Sequence, residues 1–187
     1  MKLLELLGLS AGGSAPQEDE SDTIRRIAAE LEALPEDAAR RVAALAYLLG
    51  RVAWVDRRVT DEEAEAMVRI VADRAGLGRA QATLAVEIAR TRARLYGATD
   101  NFLVARELGA EIDRDEKRAI LDALFAVAAA DGSISTIEAN EIRLIADTLG
   151  LEQDDYAAMR SRWRDRLAVL REAPPPAGDG DPGGEDA

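Results

Sequence analysis

The sequence predicts an all-α fold: a compact bundle of seven to eight helices in which one helical hairpin is used twice. Three observations lead there. Apolar residues recur at steps of three and four along most of the 187-residue chain, the spacing that lines one face of a helix. No segment reads as a strand, and the 48% apolar content is carried by Leu, Ile, Val and Ala, with only 4% aromatic residues. Such a composition favours helices. A short phrase also occurs twice, 75 residues apart: Val-Ala-Trp54-Val-Asp56-Arg-Arg-Val59-Thr60-Asp-Glu-Glu63, then Ala-Ala-Ala-Asp131-Gly132-Ser-Ile134-Ser135-Thr-Ile-Glu138.

Taken in order, Leu3, Leu4, Leu6 and Leu7 line one side of a short amphipathic helix. These leucines fold back on the domain or dock in a partner groove. Ala11 to Glu20 reads as a linker, with Gly12, Gly13, Ser14 and Pro16. Ile24, Ile27, Leu31 and Leu34 mark the next helix, and Pro35 ends it and suits the first turn of its successor. Leu45, Leu48, Leu49 and Val52 form the stripe of that successor. Met67, Ile70 and Val71 mark another, broken by Gly76-Leu-Gly78. Leu84, Ile88 and Leu95 follow and are closed by Gly97; a shorter helix near Asp100 carries Phe102, Leu103 and Leu108.

Asp113 and Glu116 have capping-box spacing ahead of Ile120, Leu124 and Val127. Ser135 to Glu138 opens a helix lined by Ile142, Ile145 and Leu149 and stopped by Gly150. Tyr156, Met159, Trp163, Leu167 and Leu170 form the last stripe. From Glu172 onward Pro and Gly alternate with acids, a composition that cannot offset its ordering entropy. The expected organisation is an apolar segment and linker over 1–20, a helical domain over 21–171 and a disordered acidic tail over 172–187.

Composition excludes several chemistries. The chain has no Cys and no His, so disulfides, thiol catalysis, Ser-His-Asp triads and the usual imidazole ligands of zinc are ruled out. Any acid-base chemistry has to use carboxylates, Lys or Tyr. The formal net charge of −12 repels nucleic acid and anionic bilayers alike. No run is long enough to cross a membrane, and the first nine residues are too short and too acidic for a signal peptide. The expectation is a cytoplasmic protein without nucleic-acid partner or catalytic residue.

Helix capping accounts for the repeated phrase. Thr60 and Ser135 are favoured N-cap residues, Glu63 and Glu138 stand where a capping-box carboxylate reaches back, and Val59 and Ile134 suit hydrophobic staples. Asp131-Gly132 is ordinary turn chemistry. The competing reading is a divalent metal. Asp131 to Glu138 resembles the second half of an EF-hand loop, but Val127 and Ala129 occupy positions that need oxygen ligands, so an EF-hand is rejected. A weaker site remains, in which Asp56, Asp131, Glu63 and Glu138 converge on one ion, opposed by Arg57 and Arg58.

The second phrase, from Leu124 to Glu138 and on through Ile142, Ile145 and Leu149-Gly150-Leu151, resembles the TerB-like family of tellurite-resistance proteins and DjlA co-chaperones. The resemblance spans roughly Pro35 to Leu170. It implies an all-helical, non-enzymatic interaction module of bacterial stress responses, working with a protein partner near the inner face of the membrane. It also implies metal binding through Asp131 and Glu138, and less directly through Asp56 and Glu63. The first copy departs from the pattern, with Arg57 where the second has Gly132. Without a His there is no J-domain signature.

Two basic stretches remain. Arg79, Arg90, Arg92 and Arg94 lie on one predicted helix, and Arg160, Arg162, Arg164 and Arg166 on the last. Both read as solvated faces balancing nearby acids, with docking of an acidic partner as the alternative. Trp163 falls on an apolar stripe, whereas Trp54 stands beside the first corner, where it can support a partner site.

Overall fold

The computed structural model describes residues 7, 9, 18–53, 60–96, 102–110 and 112–168. They form eight α-helices: α1 Glu18–Glu32, α2 Glu36–Ala53, α3 Asp61–Arg74, α4 Arg79–Tyr96, α5 Phe102–Gly109, α6 Arg114–Ala128, α7 Thr136–Thr148 and α8 Gln153–Arg162. A single 3₁₀ turn follows at Arg164–Arg166. No strand occurs among the described residues. Helix α1 begins at Glu18, so the last three residues of the predicted linker are helical.

Local sequence starts these helices where expected. Asp113 caps α6: its Oδ1 accepts from Glu116 N at 2.8 Å, and Glu116 Oε2 accepts from Asp113 N at 3.4 Å. Helix α7 ends in a Schellman motif. Leu151 N donates to Ala146 O at 3.0 Å and Gly150 N to Asp147 O at 3.1 Å, which requires the left-handed φ of 72° at Gly150.

The core is built on α2 and α6. Every residue from Val42 to Leu49 and from Ala123 to Ala129 is buried. A helix apolar on all sides belongs in an interior, and the alanines among these residues let neighbours approach closely. Helix α2 packs on α1, α4, α5, α6 and α7. Helix α6 packs on α2, α3, α7 and α8. Helix α4 also covers α3, and α8 also covers α7. Leu49 and Leu124, matched by the 75-residue offset, are both fully buried.

The last predicted helix is corrected by the structure. It stops at Arg162 instead of continuing to Leu170. Trp163 turns out of it, stacking on Phe125 at 6.5 Å between centroids and donating from Nε1 to Asp122 Oδ1 at 3.0 Å. The Arg74 guanidinium lies over the Trp163 ring and pairs with the same Asp122 at 3.0 Å. Leu167 then enters the core through a parallel bridge to Ile134. Helical periodicity alone cannot distinguish a continued stripe from a break that buries the same residues by another path.

Near the N-terminus, Leu7 and Leu9 are buried in the core cluster. Leu3, Leu4 and Leu6, and the predicted tail over 172–187, lie outside the described residues.

Candidate functional site

The second occurrence of the repeated phrase forms the corner between α6 and α7. After the C-cap Ala129, Ala130 N donates to Val127 O at 3.1 Å and Gly132 N to Ala129 O at 3.0 Å. Gly132 has φ of 111°, a conformation that side-chain-bearing residues rarely adopt. Ile134 is buried directly before the cap.

Ser135 and Glu138 form a complete capping box. Ser135 Oγ accepts from Glu138 N at 3.2 Å, and Glu138 Oε2 accepts from Ser135 N at 2.8 Å and from the Ser135 hydroxyl at 2.7 Å. Thr60 and Glu63 repeat the arrangement ahead of α3: Glu63 Oε2 accepts from Thr60 N at 2.7 Å, and Thr60 Oγ1 accepts from Glu63 N at 3.2 Å. The Thr60 amide, followed by its hydroxyl, holds the Glu63 carboxyl below its ordinary pKa, against a small opposing effect of burial.

The four candidate metal ligands are thus placed unequally. Glu63 and Glu138 spend carboxylate oxygens on their own helix N-termini. Asp131 is exposed, and its Oδ1 accepts from Ser133 N at 3.4 Å, closing a local turn. Asp56 lies outside the described residues, as do Trp54, Arg57, Arg58 and Val59. Among the described residues no group of three or more carboxylate, His or Cys side chains could hold a metal ion.

A second feature of the corner has no counterpart in the sequence pattern. Ile134 N donates to Arg166 O at 2.7 Å, and Ala168 N donates to Ile134 O at 2.9 Å. The chain after α8 therefore straps the corner through both main-chain groups of one residue, with Leu167 buried beneath it.

A buried carboxylate, Asp155, was also not singled out by the sequence. Its Oδ2 accepts from Arg114 Nε at 3.0 Å and its Oδ1 from Arg118 Nε at 2.8 Å, which ties the first turn of α8 to that of α6. Burial works against the charged form, but the Arg118 and Arg114 guanidinium groups outweigh it and hold the carboxyl below its usual range. Only the position of Asp155, three residues after Glu152 at a helix start, signals it in the sequence.

Of the predicted basic faces, Arg79 pairs with Glu65 and Arg90 with Asp61. Arg162, Arg164 and Arg166 are exposed. Arg92 departs from the expectation of a solvated face. Its guanidinium lies 4.4 Å from the Tyr47 ring centroid, and its Nε donates to Leu7 O at 2.5 Å.

A family model described as tellurite resistance protein TerB matches residues 41–161, from the first turns of α2 to the end of α8. The chain belongs to the TerB family. The TerB match includes the Thr60–Glu63, Asp113–Glu116 and Ser135–Glu138 capping boxes and the Asp131-Gly132 corner, and it stops before Trp163 and the strap. Leu7 and Leu9 also lie outside it. No curated protein and no solved structure matches the chain. No helix among the described residues is long and apolar enough to cross a membrane.

Proposed function

We propose that this TerB-family chain is a non-enzymatic interaction module of the bacterial stress response, of the tellurite-resistance type, which engages a protein partner in the cytoplasm at the inner membrane face. The observation that carries the reading is the outer face of α7. Ile137 and Leu144 are 63% and 46% exposed, the large apolar residues exposed among those described. They stand one heptad apart, on one stripe of the helix that the strapped corner launches. Charged Arg143 and Asp147 flank them and pair with each other at 3.5 Å. An apolar stripe with a polar rim on a rigid helix suits a groove or helix on a partner.

The packing also supports an approximate two-fold relation between the helix pairs α2–α3 and α6–α7. Helix α3 packs on α6 as α7 packs on α2, and Arg41 pairs with Glu116, which stands 75 residues further on.

The test is photo-crosslinking from position 137 in cells exposed to tellurite, compared with unstressed cells. A reproducible partner, lost when Ile137→Asp and Leu144→Asp are combined in a folded protein, is the expected result. Crosslinks unaffected by that pair of substitutions would remove α7 as the docking face.

A further inference from the structure

The end of α8 and the strap carry an arginine at every second position, Arg160, Arg162, Arg164 and Arg166, in a chain whose formal net charge is −12. Arginines elsewhere are largely met by carboxylates: Arg26 by Glu87, Arg51 by Glu141, Arg79 by Glu65, Arg90 by Asp61 and Arg143 by Asp147. Arg162, Arg164 and Arg166 differ. All three are exposed, and among the described residues no carboxylate stands within ion-pair distance of them, Asp165 of the same turn included. Arg166 Nη1 donates to Gly132 O at 3.5 Å, which engages one of the five N–H donors of its guanidinium. Arg160 is half-buried beside Tyr156. Balancing of nearby acids thus describes Arg79 and Arg90 on α4 and does not describe the strap.

The backbone that presents these arginines is pinned on both sides. Trp163 stacks on Phe125 and donates to Asp122, and Leu167 is buried with its neighbours bonded to both main-chain groups of Ile134. A ligand on the strap therefore meets a backbone already in place and loses little to ordering it. Guanidinium forks match carboxylates in a bidentate geometry. Extended anionic surfaces, such as a bilayer or a duplex, would bring the negative charge of the rest of the molecule against them. A short acidic segment touches the basic turn alone, and at physiological ionic strength charges more than about 8 Å away are largely screened. We propose that the strap is a docking site for an acidic segment of a partner protein, gripped by Arg162, Arg164 and Arg166. The site goes beyond the α7 reading and shares no residue with the Ile137–Leu144 stripe.

The test uses the full chain and a fluorescent oligoglutamate peptide, titrated by anisotropy at low and at physiological salt. The expected result is saturable binding that weakens as salt rises, and a loss of about tenfold or more when Arg162→Gln, Arg164→Gln and Arg166→Gln are combined, the sum of three exposed charge pairs. Folding of the triple variant is checked by circular dichroism. Equal binding by the wild type and the folded triple variant overturns the proposal, as does no binding by the wild type. Tighter binding of phosphatidylserine vesicles or of duplex DNA than of the peptide overturns the assignment to an acidic protein segment. Peptide binding that emerges only when Asp179, Asp181, Glu185 and Asp186 are neutralised gives the site to the chain's own acidic residues and overturns a partner in trans. If the triple variant fails to fold, hydrogen exchange of the wild-type chain with the peptide decides. Protection confined to residues 160–168 and the 131–135 corner supports the strap, and protection elsewhere overturns it. The crosslinking test at Ile137 is independent of these outcomes, so failure of the strap and failure of the α7 face are distinguishable.

Discussion

Ser135 and Glu138 satisfy each other's main-chain donors, and that reciprocity explains these residue types without any ligand. Ser135→Ala removes the acceptor for Glu138 N and is expected to cost about 1 kcal/mol of stability, the usual loss for a serine N-cap. The loss should be the same with calcium or magnesium present, as measured by urea denaturation in each buffer. A cost that grows when the cation is added would reassign the pair as ligands. At this scale much was legible. Cap, staple and turn chemistry are local, and a four-residue window at Ser135 or Asp113 contains all the atoms involved. The role of Arg92 was not legible, because its partners Tyr47 and Leu7 are distant in sequence and nothing in the helix pattern distinguishes an arginine on an aromatic face from one in water.

Asp155 shows what is decided between elements. It joins the N-terminal turns of α6 and α8 through two arginines, and its carboxyl is held below its ordinary pKa because Arg118 and Arg114 outweigh the burial that opposes its charge. A carboxyl with a lower pKa in the folded state than in the unfolded one contributes stability at pH values above its unfolded pKa. That contribution is lost as pH falls through the folded value. The wild-type melting temperature should thus fall on acidification below the ordinary carboxylate range, and Asp155→Asn should flatten that decline while lowering the melting temperature at neutral pH. Parallel pH profiles for the two proteins would count against the clasp. The same scale explains the misread end of the chain. The stripe from Tyr156 to Leu170 was correct about which side Trp163 and Leu167 bury. It carried no information that Trp163 leaves the helix for Asp122 and Phe125, or that Leu167 reaches the core across the Ile134 bridge.

For the whole molecule, the decisive property is that α2 and α6 are buried together, and that residues from Leu7 to Leu167 join a single cluster around them. The all-α class follows from this composition, since helices can be buried on every side without leaving backbone groups unsatisfied. The same reasoning places the largest energetic penalty at the centre. Leu124 is fully buried on α6, and Leu124→Ala is expected to cost about 2–5 kcal/mol, from lost transfer energy and the cavity left behind. If the cluster is one cooperative unit, the loss appears equally in helix content and at Trp163, which stacks on Phe125 beside it. Urea unfolding followed by circular dichroism and by fluorescence, in a Trp54→Phe background so that Trp163 alone emits, should give coincident transitions displaced by the same amount. Transitions that separate in the Leu124→Ala protein would mean that the helices packed on α2 and those packed on α6 hold independent cores, and the strapped corner would then be anchored to only one of them.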